Sequence, residues 1–142
     1  MQLPRTIVVP IDFSDSSEHA LDYAVALAAK LDARIHAVHV VSPVITSTAL
    51  YADAMASVLD GSHEALEKLV AARRDKAAFG PIRVEVGDPR DIIDATAASL
   101  SAELIVMGTR GRRGVTRVLL GSVAESVART APCPVLLVRK DQ

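Results

Sequence analysis

The sequence predicts an α/β domain built on one open parallel sheet of five strands, with helices on both faces. Three observations lead there. Five short apolar runs, at residues 7–11, 35–41, 82–86, 104–107 and 135–138, are mostly continuous rather than alternating. Strands buried on both faces of a parallel sheet have that pattern. Segments with helical spacing separate the runs, and regular β-α alternation requires parallel strands joined by right-handed crossovers. The composition agrees: half of the 142 residues are hydrophobic, alanine is the commonest with 23, and only four are aromatic. Small and aliphatic residues suit helices packed closely on a sheet.

The elements follow in order. After the first strand, Ser14 or Asp15 can cap a helix running from about 16 to 31, and Asp15 with Glu18 resembles a capping box. Ala20, Leu21, Ala24, Leu27, Ala28 and Leu31 line one side of it. The second strand gives way to a segment interrupted by Pro43, in which residues 49–59 fit either a helix or a mobile loop. A second helical stretch, about 62–78, carries Leu66, Leu69 and Val70 on one side and charges on the other. After the third strand, Asp88-Pro89 opens a third helix through Ile92, Ile93 and Ala97, with proline at the first helical position. The fourth helix begins at Ser122 and ends near Ala131, before Pro132. The last strand is Val135, Leu136, Leu137 and Val138. The length fits one domain, 1–142, without internal repeat, linker or low-complexity segment.

Composition narrows the function classes. Net charge is −1, so nothing global points to nucleic acid or an anionic membrane. A single cysteine, Cys133, rules out an internal disulfide and a cysteine-based metal site. It is expected to be a small buried hydrophobe. No run approaches the roughly 18 apolar residues of a membrane span. The N-terminal apolar run is too short for a signal peptide. A reducing, cytoplasmic location is the expectation.

The stretch that carries chemistry is 103–126. An apolar strand ends in Gly108, and Gly111, Gly114 and Gly121 follow, interleaved with Arg110, Arg112, Arg113 and Arg117. Glycines let backbone amides approach an anion, and the following helix adds free N–H donors and partial positive charge. The motif is neither a Walker A loop nor a dinucleotide fingerprint, since the lysines at 30, 68, 76 and 140 all lie elsewhere and no G-x-G-x-x-G follows an early strand. A solvated surface loop is the plainer alternative, but three glycines at three-residue spacing after a buried strand are costly to order without a reason. Ser122 with Glu125 forms an apparent capping box, and the cap hydroxyl can also donate to a phosphate oxygen.

Ligands of open α/β sheets bind beyond the carboxyl ends of the strands, where strand order reverses. For the order 3-2-1-4-5 that crevice lies between strands one and four. It brings Asp12 beside the glycine loop, as a turn residue, a nucleoside contact or a Mg²⁺ ligand on the phosphates. His36 and His39 point to opposite faces of a strand and make no metal pair. They, His19 and His63 are expected to be structural or solvated. The last strand, at a sheet edge, exposes an apolar pairing surface, which a homodimer would cover or which residues 139–142 and the flanking prolines would protect.

These residues resemble the universal stress protein family over nearly the whole chain. The opening IVVPIDFSDSSEHALDYAVALA, the stretch VHVV, the segment VEVGDPRDII and the final MGTRGRRGVTRVLLGSVAESVARTAPCPVLLVR are similar to it. The nucleotide motif G-x2-G-x9-G-S/T falls on Gly108, Gly111, Gly121 and Ser122. The resemblance implies a Rossmann-like fold of the adenine nucleotide alpha hydrolase type, strand order 3-2-1-4-5, a dimer through the last strand, and the ATP-binding branch of the family. It implies that Pro10, Asp12 and Val40 line an adenosine pocket with Met107 beneath. Gly108, Thr109, Arg110, Gly111, Arg112, Arg113 and Gly114 would wrap ribose and phosphates, and Gly121, Ser122, Val123 and Ala124 would close the phosphate site. Two departures from the family pattern are Glu103, where Asp is frequent, and Asp32, where the first helix often ends in Gly.

The expected function is therefore nucleotide-dependent stress sensing or signalling, with ATP and Mg²⁺ as ligands. A slow ATPase or phosphotransferase on the same site, and a module for another adenine nucleotide such as cyclic AMP, are the alternatives. Efficient catalysis is not expected, because the loop has no lysine and Asp12 is the one obvious base. Residues 42–60 are expected to order when nucleotide binds.

Overall fold

The computed structural model describes residues 2–43, 48–110 and 120–140. In chain order the elements are β1 (Thr6–Pro10), α1 (Asp15–Leu31), β2 (Arg34–Val41), α2 (Thr48–Ala71), β3 (Ala78–Phe79), β4 (Arg83–Val86), α3 (Pro89–Ser99), β5 (Leu104–Gly108), α4 (Ser122–Thr130) and β6 (Val135–Val138). All strand pairs are parallel, in the order β3-β2-β1-β5-β6, with β4 also on β2.

The expected order thus holds with one addition. β3 and β4 share one edge of β2: Ala78 and Phe79 pair with Arg34 and Ile35, and Arg83 to Val86 pair with Val38 to Val41. The break between them follows from local chemistry. Gly80 still donates to the Ile35 carbonyl at 2.8 Å, but Pro81 has no N–H to continue the ladder. The His36 ring packs over Gly80 so closely that a Cβ there would lie 2.3 Å from Cε1.

The sheet separates two apolar layers. On one face Ile7, Val9, Ile35, Ala37 and Val106 pack with Leu21, Ala24 and Ala28 of α1 and Leu66 and Val70 of α2. On the other, Val8, Val38, Ile105 and Met107 pack with Ile93 and Ala97 of α3 and Ala124 and Val127 of α4. Each fully buried Leu or Ile side chain adds about 1.5–3 kcal/mol. His39 follows the parity of Ile35 and Ala37, and His36 that of Val38, so the two histidines do face opposite ways.

The helix ends correct several expectations. Ser14, not Asp15, caps α1, accepting from the Ser17 amide at 3.1 Å; Asp15 is already helical, so the Asp15–Glu18 capping box does not form. Asp32 closes α1 in the left-handed conformation at φ 54°, and Ala33 donates back to the Ala28 carbonyl at 3.0 Å. The non-glycine ending is therefore real. α2 is longer and earlier than its apolar spacing suggested. Residues 49–59 are helical, not a mobile loop, and the helix ends at Ala71 rather than near 78. Arg73 stops it: the guanidinium donates to the Leu69 carbonyl at 2.8 Å and reaches Asp22 at 2.7 Å and Glu18 at 3.2 Å on α1. α3 begins as expected, with Asp88 as cap and Pro89 in the first turn. Glu103 ties two strand starts together, its Oε1 accepting from the Arg5 amide at 2.9 Å and the Thr6 amide at 3.2 Å. Cys133 is half-buried against the α3–α4 layer, and burial raises its thiol pKa, with Asp94 adding to the shift. Among the described residues no helix is long and apolar enough to cross a membrane.

Candidate functional site

The strand ends open into one cleft of about 1260 Å³, the position that strand-order reversal between β1 and β5 dictates. Its walls come from the ends of β1, β2 and β5, from the first turn of α4, and from α2.

The β1 wall is a built turn. Ile11 continues along β2, donating to the Val38 carbonyl at 2.8 Å. The chain then reverses at Phe13, which takes φ 65°, an uncommon conformation for a residue with a bulky side chain. Asp12 holds the turn. Its Oδ1 accepts from the Ser14 amide at 2.9 Å and from the Ser14 hydroxyl, while its own amide donates to Ser17 Oγ at 3.3 Å. The turn role of Asp12 is thus occupied by one carboxylate oxygen. The other, Oδ2, has no protein partner among the described residues.

The α4 wall is a helix start without a side-chain cap. Gly121 is the N-cap, in extended conformation, and makes no side-chain bond; Ser122 is the first helical residue. The capping box of Ser122 and Glu125 therefore does not exist. The reason is positional: the Gly121 carbonyl accepts the Glu125 amide at 3.0 Å, which puts Ser122 one residue too late to cap. Glu125 turns along the helix instead, bonding Arg129 at 2.9 Å. In a helix begun this way the amides of Ser122, Val123 and Ala124 have no intrahelical acceptor, and all three residues line the cleft.

Of the residues singled out from the sequence, Pro10, Asp12, Val40, Met107, Gly108, Arg110, Gly121, Ser122, Val123 and Ala124 meet around this cleft. Thr109 does not line it. That residue is buried, and its carbonyl accepts the Gly121 amide at 2.7 Å. Gly111, Arg112, Arg113, Gly114 and Arg117 lie outside the described residues. Val40, Met107, Val123 and Ala124 belong to the α3–α4 layer, so they form an apolar shelf on that side. Among the described residues no group of three or more His, Cys, Asp or Glu is placed to hold a metal ion. Asp12 is a single carboxylate, the kind of donor that Mg²⁺ uses together with phosphate oxygens and water.

Phe13, His39 and, on α2, Gly61, Ser62 and Ala65 escape sequence reading, whereas Ser57 and Val58 fall in the 42–60 segment expected to order with nucleotide. The Phe13 and His39 rings meet at a tilt of 46° with centroids 4.5 Å apart, and the His39 Nδ1 lies 2.6 Å from the Ile11 carbonyl. Ser57, Val58, Gly61, Ser62 and Ala65 of α2 form the side opposite α4. No motif marks these positions; only the small size of the α2 residues hints at a surface facing a gap.

Comparison with known proteins agrees with this architecture. The family model described as "Universal stress protein family" matches residues 4–139. A universal stress protein of Methanocaldococcus jannaschii is 38% identical over 142 residues, covering 97% of this chain and 84% of its own. The solved structure of the universal stress protein UspA from Lactobacillus plantarum superposes with a TM-score of 0.77 at 28% identity, covering 94% of this chain and 97% of its own. A universal stress protein solved in complex with cAMP matches with a TM-score of 0.68 at 31% identity, covering 97% and 98%. With a parallel sheet that reverses order at an open cleft and a family match over nearly all of its length, the chain belongs to the universal stress protein family.

Proposed function

We propose that the chain binds ATP in this cleft and acts as a nucleotide-dependent stress sensor or signalling module. One observation carries the reading: an apolar shelf at the strand ends adjoins an α4 start whose amides and Ser122 hydroxyl are not spent on capping. A flat, uncharged base suits the shelf of Val40, Met107 and Val123. Phosphate suits free helix amides, their partial positive charge and the arginines that follow Gly108. Asp12 Oδ2 is then available to a ribose hydroxyl or to Mg²⁺ riding on the phosphates. Gly111, Arg112, Arg113 and Gly114 complete the ligand set on the strength of the motif.

Cyclic AMP is the second reading, favoured by the relative solved with that ligand. Both ligands use the base shelf; only ATP uses the whole α4 start. Binding itself is the output of this module: occupancy changes the surface that partners meet. β6 lies at an edge of the sheet, and pairing of two copies along it would give a homodimer in the cytoplasm.

The test is to purify the protein without added nucleotide, denature it, and identify the released small molecules by chromatography. Phosphate release is then followed in the presence of ATP and Mg²⁺. Bound adenine nucleotide without steady turnover supports the sensor. Turnover that requires Asp12 replaces it with an enzyme. No release, and no binding on titration, removes the nucleotide reading.

A further inference from the structure

We propose that Ser16 is the positioning residue of the glycine loop: its hydroxyl receives the Arg110 amide, and Gly108 lacks a side chain to let it do so. The three serines at the start of α1 divide the work. Ser14 caps the helix through the Ser17 amide, and Ser17 Oγ receives the Asp12 amide. Ser16 takes no part in either. It is buried, and its Oγ lies 3.4 Å from the Arg110 nitrogen, which donates to it across 94 residues of sequence.

Gly108 is the counterpart. A Cβ on Gly108 would stand 2.3 Å from Ser16 Oγ and 2.8 Å from the Ser16 carbonyl oxygen. The nearest atoms to that empty position all belong to Ser16. The first glycine of the loop motif therefore serves the approach of α1, and that approach puts an acceptor under the first amide of the loop beyond Thr109. Arg110 enters the cleft from this anchored point. The same first turn of α1 thus touches both flanks of the cleft, Asp12 through Ser14 and Ser17, and Arg110 through Ser16.

The consequence for affinity rests on the nucleotide reading; the anchoring does not. The experiment separates them. Amide hydrogen exchange is measured by NMR on the unliganded wild type and Ser16→Ala, and ATP–Mg²⁺ affinity on both. Alanine keeps the approximate size of the side chain and is the better helix former, so the change removes the acceptor without weakening α1. We expect exchange at Arg110 to accelerate about tenfold and ATP affinity to fall about fivefold, the scale of one lost hydrogen bond. Amides of Val8 and Val106 in the same sheet should stay unchanged, which a general loss of structure would not allow. Unchanged exchange at Arg110 overturns the anchoring. Faster exchange with unchanged affinity overturns its role in binding. A wild type that binds no ATP overturns that role too, and shows that the functional reading failed rather than the anchor.

Discussion

The Gly121 amide donates to the Thr109 carbonyl at 2.7 Å. This bond holds the end of β5 and the start of α4 together beside the cleft. Thr109 and Gly121, twelve positions apart in sequence, stand one hydrogen bond apart. The long spacing between the second and third glycines of the motif is thus compatible with a compact site, because the chain returns to where it left.

Gly121→Pro should break this bond. Gly121 has φ −63° and ψ 154°, which proline adopts without strain, so the change removes the N–H and sets the ring against the Thr109 carbonyl. We expect a loss of about 1–3 kcal/mol from a buried carbonyl left unpaired, read by urea unfolding, and at least about tenfold weaker nucleotide binding. Gly121→Ala keeps the bond and should cost far less.

Gly108→Ala and Gly80→Ala should both destabilise by about 1–3 kcal/mol, the usual cost of overpacking, but they should differ in rescue. Around Gly80 the close atoms are all in the His36 ring, so His36→Ala should relieve Gly80→Ala. Around Gly108 the Ser16 backbone is at 2.8 Å, so Ser16→Ala should leave most of the Gly108→Ala penalty in place. Double-mutant cycles on denaturant midpoints check both.

Gly61→Ala should stabilise the protein. Gly61 lies inside α2, and nothing stands within 4 Å of where its Cβ would be. Alanine in a helix interior is favoured by roughly 0.5–1 kcal/mol. Because Gly61 lines the cleft, the same variant reports whether α2 contacts ligand: a raised midpoint with weakened ATP binding would place the nucleotide against this helix.

Stability should fall on mild acidification because of His36. Burial lowers its pKa below 6.5, and the nearby Arg83 and Arg34 charges lower it further. The unfolded chain then binds the proton more readily than the fold does, so stability rises with pH in this window. The His36 contribution is full above 6.5 and is lost as pH drops through the folded value. Thermal melts between pH 7.5 and 5 should show that slope for wild type, and His36→Gln should flatten it.

Much of this was legible in the chain. Short continuous apolar runs located every strand except the two-residue β3, and Pro89 after Asp88 located α3 because proline and its cap leave few alternatives. The first half of α2 was not legible, since Met55 is its one buried hydrophobic among the described residues up to Asp60 and no stripe forms. Ser122 misled for a simpler reason: serine followed by glutamate three residues on fits a cap, and only the backbone shows that Gly121 holds that position. Gly108 invited a phosphate argument, whereas its empty side faces Ser16, a partner no local pattern reveals. The cleft wall of Phe13 and His39 likewise depends on a turn with positive φ at a residue that does not advertise it.

The most direct test of the account is an NMR titration of the protein with ATP and Mg²⁺. Saturable shifts should concentrate at Val40, Gly108, Ser122, Val123 and Ala124, with the α3 and α4 C-terminal amides unmoved. Saturable binding whose shifts lie elsewhere, or no shifts at millimolar ATP, would contradict the claim that this cleft is a nucleotide site.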